Sequence, residues 1–127
     1  GVDAMDEMVE TASSRNIPNT TFSTGDVVQS KIDLPNVDWI TCSGTLNAMG
    51  EKLAIETIDV MFKHCNVGLV FNFLSDKSGR DQKSECLEPA SRFNTVGLLR
   101  HALEKTPHVS FTQEYLGGHD ATIVMRK

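Results

Sequence analysis

The stretch Val37-Asp38-Trp39-Ile40-Thr41-Cys42-Ser43-Gly44-Thr45-Leu46-Asn47 constrains this chain more than any other. It opens as a run rich in β-branched and aromatic residues, the composition of a buried strand. It closes in the small and polar residues Ser43-Gly44-Thr45. From about Glu51 an amphipathic pattern follows, with Ala54, Ile58, Met61, Phe62 and Cys65 at helical spacing. A strand that stops in small residues before a helix is how an open α/β sheet builds a ligand crevice. Small side chains let a ligand reach the backbone at the carboxyl end of the strand.

The remaining pattern reads as units placed around this one. Gly1-Val2-Asp3 reads as the last residues of a strand, and a helix follows at once, with Met5, Met8, Val9 and Ala12 on one face. That entry suggests a longer protein with a segment upstream. Asn16-Ile17-Pro18-Asn19 breaks the helix. Thr20 to Asp26 predicts a strand closed by Gly25-Asp26, and a polar connection plugged by Ile32 and Leu34 leads to Pro35. Val67 to Leu74 is a continuous apolar strand of the kind buried on both faces in a parallel sheet. Ser75 to Arg92 is a long irregular stretch, which compact domains reserve for function or leave mobile. Asn94 caps a helix through Lys105, ended by Thr106-Pro107. His108–Thr112 and Ala121–Met125 form an antiparallel hairpin across Gly117-Gly118. Alternating strands and helices predict a mainly parallel sheet with helices packed on its faces and an antiparallel last strand.

Composition narrows the function classes. A chain of 127 residues supports one domain, 1–127, with a single core. A net charge of −5 argues against a sequence-independent grip on nucleic acid. No apolar run approaches a membrane span, so neither nucleic acid nor membrane is an expected partner. Cys42, Cys65 and Cys86 are odd in number, widely spaced and lack any CxxC pair. They read as reduced thiols of a cytoplasmic protein, with no metal site.

The acids point to a nucleotide. Asp3 and Asp26 stand at predicted strand ends, and in a doubly wound sheet they share one carboxyl edge with Ser43-Gly44-Thr45. A carboxylate there can accept hydrogen bonds from two adjacent ribose hydroxyls. Nucleotide folds put that acid about 20 residues after a glycine-rich turn, and counting back from Asp3 runs off the front of the chain. Each residue also has a plainer reading: Asp3 as a helix N-cap, Gly25-Asp26 as a turn, and Ser43-Gly44 as the end of a strand. Asn72 interrupts an apolar strand and is either satisfied by nearby backbone or turned to the crevice. His119-Asp120, beside Gly117-Gly118, are the candidate catalytic residues, since a histidine at the crevice could take a proton from a nucleophile. His64, His101 and His108 read as surface residues.

Taken in order, several segments carry a resemblance. Gly1 to Ala12 resembles the segment after the second strand of class I S-adenosylmethionine-dependent methyltransferases. Phe22-Ser23-Thr24-Gly25-Asp26-Val27 is similar to their third strand, and Asp38 to Asn47 to their fourth. Phe71 to Ser75, Asn94 to Pro107 and Tyr115 to Lys127 resemble a bacterial subgroup of small methyltransferases. The resemblance implies a Rossmann-like α/β sheet with helices on both faces and a C-terminal antiparallel hairpin, lacking the family's first strand and glycine-rich loop. It implies S-adenosylmethionine as cofactor, with Asp3 on the ribose and Asp26 and Val27 at the adenine amino edge. Ala4 and Met5 would pack beside the adenine ring, and Ser43, Gly44 and Thr45 would border the methionine end. The function it implies is methyl transfer to a small molecule or biosynthetic acceptor. A non-catalytic remnant and a nicotinamide-dependent oxidoreductase fragment are the alternatives. Strands left without their central neighbour would also favour a homo-oligomer through the gap.

Overall fold

The computed structural model describes residues 1–28, 34–78 and 89–127. Ile32, Cys86 and the middle of the irregular stretch, 79–88, lie outside the described residues. The chain divides into two compact units, Gly1–Leu34 and Pro35–Lys127.

In the first unit, β1 (Val2–Asp3) leads into α1 (Asp6–Ser14), and β2 (Ser23–Thr24) pairs parallel with β1. Val2 lies opposite Ser23 and Asp3 opposite Thr24. The ladder is shorter than the sequence suggests, because only these pairs meet. Asn16 and Asn19 take positive φ angles of 48° and 59°. Asparagine tolerates that region better than most residues, and the two end the helix where the sequence indicates. No residue of α1 is buried within this short assembly.

The second unit holds β3 (Val37–Cys42), α2 (Glu51–His64), β4 (Cys65–Leu74), α3 (Thr95–Lys105), β5 (Val109–Thr112) and β6 (Asp120–Arg126). The sheet order is β3-β4-β6-β5, with β3 parallel to β4 and β6 antiparallel to both β4 and β5. The expected hairpin is therefore present, and its last strand inserts between β4 and β5. Asn94 caps α3 as expected, its side chain accepting from the Gly97 N–H at 2.9 Å. Cys65, read as the end of a helical face, is the first residue of β4. α2 passes into that strand with no residue between them.

Burial follows the pleat. Leu69, Phe71 and Phe73 of β4 and Ala121, Ile123 and Met125 of β6 are sealed from water on one face. Against it lie Ala54, Ile58 and Met61 of α2 with Leu98 and Ala102 of α3. The two helices are neighbours, because Asp59 of α2 meets His101 at 2.7 Å and Lys105 at 2.8 Å, both on α3. His101 thus bridges two helices, where the sequence suggested a surface role. On the other face Val70, Asn72, Thr122 and Val124 are only half-buried, so β4 is dry on one side alone. There the ring of Trp39 lies over Gly68, its partner across the ladder. A Cβ on Gly68 would stand 2.5 Å from that ring and 2.6 Å from the Met125 carbonyl oxygen.

Two outcomes are expected. Gly68→Ala must push apart the Trp39 ring and a backbone carbonyl, so it should destabilise the fold by about 1–3 kcal/mol. Urea unfolding followed by the fluorescence of Trp39, the single tryptophan, measures this. Partial burial tends to raise the pKa of Asp59, but the hydrogen bonds and charges of Lys105 and His101 outweigh it and hold the carboxyl below its ordinary value. A depressed folded-state pKa contributes stability above the unfolded value, about 3.9 for aspartate, and that contribution disappears as pH falls through the folded one. The side chain is partly exposed, so Asp59→Asn should cost at most about 1 kcal/mol at neutral pH. The difference from wild type should vanish in strong acid, which a pH series of thermal melts reads directly.

Candidate functional site

In the first unit the parallel pairing of β1 and β2 sets Asp3 and Asp26 at the carboxyl ends of adjacent strands. The Gly25 N–H donates to the Asp3 carbonyl at 2.8 Å and fixes that end of the ladder. Asp3 Oδ1 accepts from the Met5 N–H at 2.9 Å. Met5, and not Asp3, occupies the N-cap position of α1, so the plain capping reading does not describe Asp3. Asp26 Oδ1 accepts from the Val28 N–H at 2.8 Å, which folds the chain back into the turn its sequence suggests. Asp3, Ala4 and Met5 are exposed, and Asp26 and Val27 are half-buried. An exposed carboxylate such as that of Asp3 can take hydrogen-bond donors from a ligand.

In the second unit the carboxyl edge of β3 and β4 is held by side-chain amides. Beyond Cys42 the backbone turns left-handed at Gly44, with φ of 78°, and enters a 3-10 turn over Thr45–Ala48. That conformation favours glycine. A Cβ at Gly44 would meet nothing within 4 Å, so the space before it is open. The Gly44 N–H donates to Asn72 Oδ1 at 2.8 Å. This settles the choice left by the sequence, because Asn72 is satisfied by backbone and does so at the crevice loop. Asn47 accepts from the Leu74 N–H at 2.9 Å through its side chain and from the Ser91 N–H at 2.8 Å through its carbonyl. Ser43 and Thr45 are exposed beside this turn.

The start of β6 lies at the same edge, with Asp120 opposite Leu74 and the Ser75 N–H donating to the His119 carbonyl at 3.3 Å. His119 Nδ1 and Asp120 Oδ1 are 2.6 Å apart, so the structure pairs the two candidate catalytic side chains. Their turn is tied down by Gln113, whose amide donates to the carbonyls of Gly118 at 2.8 Å and Lys77 at 3.0 Å. Gln113 Oε1 accepts from the fully buried Ser75 hydroxyl at 3.1 Å, and Ser75 also meets Thr95 Oγ1 at 2.6 Å. Tyr115 adds a hydroxyl contact to Thr122 at 2.6 Å. The ends of the irregular stretch are therefore anchored at Ser75–Lys77 and at Ser91 and Arg92, the last donating to the Ser75 carbonyl at 2.8 Å. Sequence reasoning passed over Asn47, Ser75 and Gln113. Their only signal is a polar residue beside a predicted strand end.

Burial pushes the Cys42 thiol up despite hydrogen bonds with Thr45 and the Leu46 backbone, so this cysteine at the edge stays protonated and is a poor nucleophile. Among the described residues no group of three His, Cys, Asp or Glu could hold a metal ion, and no helix is long and apolar enough to cross a membrane.

No protein-family model matches the sequence, and no curated protein matches it either. Solved structures do. A magnesium protoporphyrin IX methyltransferase from Synechocystis PCC 6803, with bound SAH, superposes on all of this chain with a TM-score of 0.75 at 14% identity. The chain spans 63% of that protein's length. The small RNA methyltransferase HEN1 matches with a TM-score of 0.70 at 16% identity, over 100% of this chain and 20% of its own. A TehB-like SAM-dependent methyltransferase from Corynebacterium glutamicum gives 0.67 at 14% identity, over 100% and 67%. The chain has the fold of the class I S-adenosylmethionine-dependent methyltransferases.

Proposed function

We propose that this chain carries cofactor-binding and acceptor-facing parts of an S-adenosylmethionine-dependent methyltransferase acting on a small-molecule nucleophile. The observation that carries the reading is the pair of acids, Asp3 and Asp26, at the carboxyl ends of adjacent parallel strands in a chain of this fold. The residues suit the cofactor. Asp3 is exposed and offers a carboxylate to vicinal ribose hydroxyls, while Asp26 and the Val27 backbone suit the donor and acceptor edge of adenine. Ala4 and Met5 supply apolar surface for the ring. In the second unit, taken by itself, the open left-handed turn at Gly44, between Ser43 and Thr45, leaves backbone accessible to a polar ligand group.

When bound, the cofactor supplies an electrophilic methyl group on a sulfonium centre. The chain's own residues then have only to position and to handle a proton, since in-line transfer depends chiefly on alignment. With Nδ1–H donating to Asp120, His119 keeps Nε2 to accept a proton from the nucleophile. Gln113, by fixing the turn that bears His119, restricts where that nitrogen can point. The net charge of −5 favours a small acceptor over nucleic acid, although one structural neighbour is a small RNA methyltransferase. The free cysteines Cys42 and Cys65 suit a reducing cytoplasm.

Titration calorimetry with S-adenosylhomocysteine, NAD and a short RNA tests the reading. Binding of S-adenosylhomocysteine without NAD supports it. Binding of NAD alone would favour an oxidoreductase fragment, and no nucleotide binding would favour a non-catalytic remnant. Asp3→Ala should weaken S-adenosylhomocysteine by about 1.5–3 kcal/mol, the range for hydrogen bonds to a charged group. Unchanged affinity removes Asp3 from the site.

A further inference from the structure

β5 ends the four-stranded sheet, and among the described residues its only ladder is with β6. Proteins usually blunt such an edge with charge, proline or a bulge. Val109-Ser110-Phe111-Thr112 has no charge and no proline, and its register against β6 is unbroken. Phe111 stands opposite the buried Ile123, hence on the face that the helices cover, yet it is 41% exposed.

The helix beside it is also unfinished. α3 buries Leu98 and Ala102 and turns His101 and Lys105 toward Asp59 of α2. At 100° per residue, Val96, Leu99 and Leu103 fall on the flank away from α2, toward the end of the sheet. Val96 is 54% and Leu103 51% exposed. An open strand edge and an apolar helix flank thus lie side by side in the same two layers.

We propose that a second copy of this chain docks here, β5 against β5 in antiparallel pairing about a two-fold axis normal to the sheet, with both α3 helices flanking the axis. A two-fold copy offers a strand edge and an apolar helix flank in the same relation, so both needs are met at once. A lone peptide strand would fill the edge and leave the helix flank wet. Charge agrees with self-association. Arg100 and Glu104 border the flank as one cation and one anion, so the face is locally neutral on a chain of net charge −5. The opposite end of the sheet, β3, carries the exposed Asp38, an edge charge of the kind that discourages strand pairing.

Sedimentation equilibrium on this chain tests the proposal, with hydrogen–deuterium exchange as a second readout. The expected result is a concentration-dependent dimer in which the amides of Val109–Thr112 gain protection as concentration rises. Leu103→Lys should raise the dissociation constant at least about tenfold. Val96→Lys, at the more exposed position, should do the same and serves if the first variant folds poorly. Val37→Lys on β3 should leave the dimer intact. A monomer through the millimolar range, a dimer indifferent to both α3 variants, or a dimer lost with Val37→Lys would each overturn it.

Discussion

Leu69, Phe71 and Phe73 point to one side of β4 and are sealed from water, while Val70 and Asn72 on the other side are half-buried. A slip of one residue in either ladder would exchange the two sets. Each fully buried side chain of this size contributes about 1.5–3 kcal/mol, so such a slip forfeits several at once. The register of β4 therefore dictates that of its neighbours: Cys42 beside Phe71 in β3, and Ile123 beside the same residue in β6. The helices follow, because their buried residues need that dry face.

The carboxyl edge is held differently. Its backbone leaves regular structure near Gly44 and Gly118, and side-chain amides reach backbone groups there and at the last residue of β4. Asn72 accepts from the Gly44 N–H, Asn47 from the Leu74 N–H, and Gln113 donates to the Gly118 carbonyl. Leu74 is buried, and leaving its N–H unsatisfied would cost roughly 1–3 kcal/mol, so the Asn47 amide is a structural necessity as well as a brace. An edge fixed by side chains from its own strands and turns is held in place before any ligand arrives.

Most of this architecture was legible in the sequence because it rests on local pattern. The apolar run through Phe71 and Phe73, the Asn94 cap, the small residues after Cys42 and the closing hairpin each carry their own signal. What failed to show were facts about pairs. Cys65 sits seven residues after Ile58, and a buried strand start looks the same as another helical turn at that spacing. His101 read as surface because nothing local announces Asp59 on the neighbouring helix. Gln113 is an unremarkable polar residue until Ser75, Lys77 and Gly118 surround it. The acids Asp3 and Asp26 stood out because strand ends can be read from sequence, whereas the amides that shape the crevice could not.

The junction between α2 and β4 has a further implication. With no connecting residue, the angular phase of the helix and the in-or-out alternation of the strand are locked together. One residue added there would turn the helix by about 100° or reverse the faces of the strand, and either change undoes the core. Neither element can drift alone. Length variation in this sequence is therefore barred at that corner, and the chain's room to acquire new recognition surface lies after β4, where a long stretch separates two anchored ends.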